Sequence, residues 1–118
     1  MIALQWQAKV LLLLDQARYP EEELWLECTT AEATAEVLSS GAILEDKIAA
    51  TAGAYGYCLA ALEHQELLGT PAFDEKLDAA KALLLASRPG SRGMQAAMDF
   101  MEHPPEAYTK NADRITTL

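Results

Sequence analysis

The chain has 118 residues and a formal net charge of −9 at pH 7, with nine basic side chains against 18 acidic ones. Duplex nucleic acid and anionic membrane surfaces are bound mainly through clustered Lys and Arg, so neither is expected as a partner. Hydrophobic residues make up 51% of the sequence. That share favours a single domain, residues 1–118, with a packed core over a disordered chain.

The first 28 residues predict strands. Ile2, Leu4 and Trp6 alternate with less apolar positions, which is the pattern of a half-buried strand. The aliphatic run at 10–14 predicts a second strand, covered on both faces. Alternation at 24–28 predicts a third. These three strands indicate a small antiparallel meander, which is stable only when helices cover it.

Residues 29–118 predict helices, and the first of them begins with a capping signal. Thr29 and Glu32 match a capping box, in which side chains and backbone N–H groups satisfy each other. The Ser-Ser-Gly sequence at 39–41 ends this helix. The fold class is therefore predicted to be α+β: a small N-terminal antiparallel β-meander packed on a bundle of about four helices.

Residues 43–62 predict the central helix, because no charged residue occurs between Lys47 and Glu63. Two stripes run along it, a bulky one and a small one: Leu44, Ile48, Tyr55, Leu59 and Leu62, and Ala49, Ala52, Gly53, Gly56 and Ala60. A helix that is apolar nearly all round is buried or spans a membrane. Its many small side chains favour the buried helix, with another backbone close to the small stripe.

Two more helices are predicted after the central one. Thr70 and Pro71 suit the cap and first turn of the third helix, which ends before Pro89. The fourth contains Met94 and stops at the prolines 104–105. The remaining residues, 106–118, are only weakly helical in pattern.

The two cysteines, Cys28 and Cys58, lie in a predicted strand and in the central helix. Their spacing matches neither a disulfide framework nor a metal site. Free thiols and the lack of a secretory leader indicate a cytoplasmic protein, and no cofactor or metal is expected.

Residues 87–93 are the strongest local candidate for chemistry. Ser87, Arg88, Ser91 and Arg92 bring two hydroxyls and two guanidinium groups to the start of the Met94 helix. Helix N-termini present unpaired N–H groups and favour anions, so these four residues are predicted to bind phosphate. The alternative is a polar loop whose arginines meet surface carboxylates. No catalytic residue is predicted.

Several strings, taken in order, carry a family resemblance. They are Trp6, LLLDQ at 12–16, YPEEE at 19–23, LECT at 26–29, AGAYG at 52–56, ASRP at 86–89 and AMDFM at 97–101. Together they resemble the N-terminal domain of methylthioribose-1-phosphate isomerases. Relatives of these enzymes include ribose-1,5-bisphosphate isomerases and the regulatory subunits of translation initiation factor 2B.

The resemblance also implies what differs here. Family enzymes continue into a Rossmann-like domain with the catalytic Cys and Asp. The resemblance implies that Cys28 and Cys58 do not correspond to that catalytic cysteine. Their phosphate-binding RGAPAIG string aligns with LEDKIAA at 44–50, so two acids stand where a dianion would dock. Of the substrate-facing residues, Arg88 and Ser87 are retained.

These departures lead to three hypotheses about function. The first is a non-catalytic, stand-alone domain of the isomerase and initiation factor 2B-like family. It would act through a homodimer or another protein on the central helix face. The second is one subunit of a split aldose–ketose isomerase in methionine salvage. The third is a domain that senses a sugar phosphate or nucleotide without catalysis.

Overall fold

The computed structural model describes residues 3–102, in which three strands precede four helices. The strands are β1 (Leu4–Gln7), β2 (Val10–Leu14) and β3 (Trp25–Cys28). The helices are α1 (Ala31–Ser39), α2 (Asp46–Glu63), α3 (Pro71–Ser87) and α4 (Arg92–Glu102), with a 3-10 turn at Gln65–Leu67. The predicted α+β class is confirmed. Three predictions lie outside the described residues: the strand position of Ile2, the stop at the prolines 104–105 and the weak helix at 106–118.

The sheet is an antiparallel meander in the order β1-β2-β3. Ala8 and Lys9 form the turn of the first hairpin, and both have positive φ, 51° and 65°. Two such residues give a turn whose twist matches the strands, although Asn and Gly usually occupy it. The meander is therefore built as predicted, with an unusual sequence at its first turn.

Strand β2 is less enclosed than its aliphatic sequence predicts. Leu11 and Leu13 are completely buried against the helices, whereas Val10 and Leu12 on the opposite face keep exposed surface. The expectation of a strand covered on both faces therefore holds at Leu14, which is 1% exposed, and fails at Val10 and Leu12.

Helix α1 begins one residue later than the capping box requires. Thr30, not Thr29, is the N-cap, and its hydroxyl accepts a hydrogen bond from Ala33 N at 3.0 Å. Position N3 is then Ala33, so Glu32 cannot complete a capping box and that prediction is wrong. The predicted end of the helix is confirmed by Ser39 and by Gly41, whose φ is +88°.

Helix α2 starts at Asp46, three residues after the predicted start. Gln16 causes the difference: its side-chain oxygen accepts hydrogen bonds from Leu44 N at 2.8 Å and Glu45 N at 3.3 Å. These bonds hold the backbone before the helix against the turn that follows β2. Thr70 and Pro71 start α3 as predicted, although the Thr70 hydroxyl donates to Leu67 O and does not cap the helix.

One hydrophobic cluster joins the sheet to all four helices. It contains Leu11, Leu13, Cys28, Ala35, Leu38, Ile43, Ala49, Ala52, Leu59, Leu84, Met94 and Met98. The small stripe of α2 faces this core. A Cβ on Gly53 would overlap the Met94 sulfur, and one on Gly56 would lie 3.1 Å from both Leu84 and Thr34. The close approach predicted for this stripe is made by side chains of α1, α3 and α4.

The bulky stripe of α2 is less buried than the small one. Leu59 is 2% exposed, but Ile48, Tyr55 and Leu62 are only half-buried. Leu44, which precedes the helix, is 64% exposed. The prediction of a helix buried all round therefore holds for one face of α2 and fails for the other.

Candidate functional site

The four predicted phosphate-binding residues come together at the turn between α3 and α4. Ser87 ends α3, Arg88 follows it, and Ser91 and Arg92 begin α4. All four line one open depression of about 580 Å³, together with Asp46 at the start of α2. The sequence thus identified a real cluster, to which the fold adds a carboxylate.

Arg88 connects this turn to the segment before α2. Its Nη1 donates a hydrogen bond to Ile43 O at 2.8 Å, and its Nη2 lies 3.8 Å from Asp46 Oδ1. The side chain is 21% exposed, so the bond to the carbonyl is partly shielded from water. Arg88 therefore already has an acceptor and a counter-charge within the chain.

Ser91 holds the same carboxylate from the other helix. Its hydroxyl donates to Asp46 Oδ1 at 2.6 Å and accepts from Met94 N at 3.0 Å, which makes Ser91 the N-cap of α4. A Cβ on Gly93 would lie 2.7 Å from Asp46 Oδ2, so the site admits this carboxylate only beside glycine. Asp46, Arg88 and Ser91 are called the Asp46 junction below.

Ser87 and Arg92, the other two predicted residues, make no contact with Asp46 of the kind that Arg88 and Ser91 make. The Ser87 hydroxyl donates to Leu84 O within its own helix, and the residue is 8% exposed. The Arg92 guanidinium is exposed and has no hydrogen-bond or ion-pair partner within residues 3–102. Of the four candidates, Arg92 is therefore the one that the described part of the chain leaves available to an anion.

Gln16 is a positioning residue that motif reasoning missed. Besides its side-chain bonds before α2, its backbone N donates to Ala42 O at 2.8 Å, and the residue is 9% exposed. The signal was present in the LLLDQ string at 12–16, where a glutamine follows β2 with one residue between them. Its role depends on residues about thirty positions later, which no local pattern reveals.

Neither described cysteine is prepared for nucleophilic chemistry. Cys28 is completely buried and Cys58 is half-buried. Burial raises the pKa of both thiols, although a hydrogen bond with Thr34 partly offsets this for Cys28. A raised pKa keeps them as thiols at neutral pH, and the thiolate is the reactive form.

No three His, Cys, Asp or Glu side chains of residues 3–102 are grouped as a metal site would need. No helix in that range is both long and apolar enough to cross a membrane.

The outer face of α2 carries an apolar depression of about 200 Å³. It is lined by Thr51, Ala54, Tyr55 and Cys58, with Met101 from the end of α4. Trp6 of β1 stacks on Tyr55, with ring centroids 5.0 Å apart and planes at 24°. This surface is called the outer face of α2, and it consists of Thr51, Ala54, Tyr55 and Cys58 with Trp6 and Met101.

Comparisons with known proteins agree with the strings singled out in the sequence. The chain is 35% identical over 101 residues to the methylthioribose-1-phosphate isomerase of Alkalilimnicola ehrlichii, covering 85% of this chain and 29% of that protein. It is 28% identical over 116 residues to the enzyme of that name from Stutzerimonas stutzeri, covering 98% and 32%. The chain thus spans about a third of the length of these curated relatives. A scan against models of protein families finds no match.

Two solved structures share the fold. Subunit delta of translation initiation factor eIF-2B from A. fulgidus superposes with a TM-score of 0.72 and 29% identity, over 82% of this chain and 28% of that one. The 5-methylthioribose 1-phosphate isomerase of Pyrococcus horikoshii gives 0.76 over 93% of this chain and 33% of that one. At 19% identity, the second likeness supports the fold alone. The predicted resemblance is confirmed as homology to the N-terminal part of these proteins.

Proposed function

We propose that this chain works by binding a second copy of itself and has no isomerase activity of its own. It is homologous over most of its length to the N-terminal region of methylthioribose-1-phosphate isomerases and eIF-2B subunit delta. The outer face of α2 is the proposed contact surface. The observation that carries the proposal is the half-buried apolar surface along this helix, where Tyr55, Cys58 and Leu62 remain partly exposed.

The charge distribution favours a second copy as the occupant. No charged residue occurs between Lys47 and Glu63, so the outer face of α2 meets no like charge when it lies against itself. A twofold contact requires such self-complementarity, because each residue then faces the same patch on the other chain. At 18 residues, α2 is about 27 Å long, enough for a pair of helices to pack along several turns.

The Asp46 junction supports the absence of sugar-phosphate chemistry at the predicted site. An arriving dianion would meet the Asp46 carboxylate, which already accepts a hydrogen bond from Ser91 and lies beside Arg88. A phosphate dianion in this position would be repelled by the Asp46 carboxylate, because both carry negative charge. Two of the four residues predicted to hold a phosphate, Arg88 and Ser91, are engaged with Ile43 and Asp46.

Light scattering after size-exclusion chromatography tests the association. We expect the unmodified chain to elute at twice its monomer mass, and Ala54→Arg to elute as a monomer because two guanidinium groups would meet across the twofold axis. Ala96→Arg, at an exposed position of α4, is the matched control and should stay dimeric. A concentration-independent monomer for the unmodified chain would overturn the proposed dimer.

One observation favours a second candidate function, the binding of a sugar phosphate as a sensor or as part of a split isomerase. The depression of about 580 Å³ is large enough for such a ligand, and the Arg92 guanidinium faces no counter-charge within residues 3–102. Calorimetric titration with methylthioribose 1-phosphate distinguishes the two functions. Heat that is lost in Arg92→Ala would support the sensor, whereas no heat at millimolar ligand would remove it.

A further inference from the structure

A second surface is formed by α1 and α3. Two adjoining depressions of about 310 and 290 Å³ share Glu32 and Leu83 in their linings. Together they form a continuous groove between the two helices, which we call the α1–α3 groove. The α1–α3 groove is a different surface from the Asp46 junction and from the outer face of α2.

The floor of the α1–α3 groove is built almost entirely of alanine. Ala31, Ala35 and Ala80 are 4–7% exposed, and Ala79 and Ala86 line its open side. Leu83 rises between them and is 39% exposed, an apolar anchor at the centre of the surface. Side chains this small let another helix lie close to the floor, since they set the distance between helix axes.

The rim of the groove is acidic. The Glu32 and Glu36 carboxylates on α1 are exposed and take part in no hydrogen bond or ion pair within residues 3–102. Glu63 adds a third carboxylate, 4.0 Å from the His64 ring at the end of α2. Lys76 and the His64 ring also line the groove. An apolar floor between carboxylates is complementary to an apolar stripe between basic side chains.

We propose that the α1–α3 groove binds an amphipathic helix of another protein, one whose apolar stripe is flanked by Lys and Arg. The apolar stripe would cover Leu83 and the alanines, and the basic flanks would meet Glu32, Glu36 and Glu63. The net charge of −9 speeds the encounter with such a basic partner. This is the helix-in-groove mode of recognition, in which apolar side chains at positions i, i+3 or i+4, and i+7 of the docked helix contact the groove.

The dimensions set the length of the occupant. Helix α1 has nine residues and is therefore about 14 Å long, which corresponds to between two and three turns of a docked helix. Three apolar anchors on successive turns span this distance. A helix of about 14 residues covers the groove with one turn to spare.

The binding test uses a fluorescent peptide of about 14 residues that alternates Leu anchors with flanking Lys in a helical pattern. We expect its anisotropy to rise with added protein, and the affinity to fall as salt is raised because the rim charges are exposed. A peptide with Glu in place of every Lys is expected not to bind. Equal binding of both peptides would overturn the charge complementarity on which the proposal depends.

Paired variants place the peptide on the groove. Glu32→Gln with Glu36→Gln is expected to weaken binding about fivefold, from two lost exposed charge pairs. Glu21→Gln with Glu23→Gln removes the same charge from an exposed turn between β2 and β3 and is the matched control. Equal weakening by both pairs would show attraction to net charge alone and would overturn the proposal.

The apolar anchor has its own variant. Leu83→Ala is expected to weaken binding about fivefold, through loss of the contact over the centre of the groove. Urea unfolding of each variant verifies that the fold is retained. Unchanged affinity in Leu83→Ala would contradict a docked helix.

Peptide binding to the groove can be tested separately from formation of the proposed dimer. Ala54→Arg, expected to be monomeric, should bind the basic peptide with unchanged affinity because Ala54 lies on the outer face of α2. If Leu83→Arg instead dissociates the dimer and the basic peptide does not bind, the groove belongs to a second copy of this chain and the proposal is overturned.

Discussion

The Asp46 junction and the α1–α3 groove are two charged surfaces of the same helical bundle, and their charges are used differently. In the junction, the Asp46 carboxylate is held by the Ser91 hydroxyl at 2.6 Å and faces Arg88 at 3.8 Å. In the groove, the Glu32 and Glu36 carboxylates have no partner within residues 3–102. Charges that are satisfied inside the chain stabilise its fold, whereas unsatisfied ones beside an apolar floor are available to another molecule.

The comparison explains why the predicted phosphate site and the proposed docking site are in different places. Arginine and serine at a helix start predict anion binding only while no carboxylate of the chain reaches them. Asp46 does reach Arg88 and Ser91, through a contact that spans 45 positions of sequence. The groove differs, because its Glu32 and Glu36 carboxylates form no ion pair within residues 3–102, although Glu63 lies 4.0 Å from the His64 ring.

Removal of the arginine should have the largest effect on the junction. Arg88→Ala leaves Ile43 O without its donor and Asp46 without its counter-charge, and we expect a loss of about 2 kcal/mol in the free energy of unfolding. Urea titration followed by Trp fluorescence measures it. Arg92→Ala, an exposed arginine four residues later, is the control and should change stability by less than about 0.5 kcal/mol. Equal losses would show that the junction contributes nothing specific.

The serine gives a smaller effect with the same origin. Ser91→Ala removes the N-cap of α4 and one hydrogen bond to Asp46, which should lower the free energy of unfolding by about 1 kcal/mol. Ser39→Ala is a suitable control, since that hydroxyl donates only to Glu36 O in its own helix. Hydrogen exchange of the Met94 amide should accelerate in Ser91→Ala and not in the control.

A substitution on the rim of the α1–α3 groove should raise the free energy of unfolding, and this effect should be the smallest of the three. Glu36→Gln removes a like-charge neighbour four residues after Glu32, and it removes a negative charge from the last turns of α1, where the helix dipole disfavours it. We expect a gain of about 0.3 kcal/mol in the free energy of unfolding. The gain should shrink in high salt, because both carboxylates are exposed. A loss of stability would mean that this carboxylate has a structural role and that the two surfaces do not differ as described.

Sequence reasoning was most successful where the controlling interactions are local. The β2 segment is found at Val10–Leu14 as predicted, and α3 begins at Pro71 because proline suits the first helical turn. It was less successful at the start of α2. The apolar pattern continues back to Ile43, but Gln16 holds Leu44 and Glu45 outside the helix. Local periodicity contains no information about a side chain from the β2–β3 turn.

The candidate site shows the same division. Ser87, Arg88, Ser91 and Arg92 were identified as a group because they are close in sequence, and the fold does place them around one depression. Their partners were not predictable. Asp46 was recognised only as an acid in an unsuitable place for phosphate, and the structure makes it the residue that joins three helices.

What the sequence by itself determined is the set of elements and the two stripes of α2, because strand alternation, helix caps and apolar spacing act within a few residues. Only the tertiary structure decided which stripe faces the core. Gly53 and Gly56 admit Met94, Leu84 and Thr34 at distances that a larger side chain would block. Close packing therefore turned the small stripe inward and left Tyr55 and Cys58 half-buried, and the proposed function depends on the apolar surface that they keep.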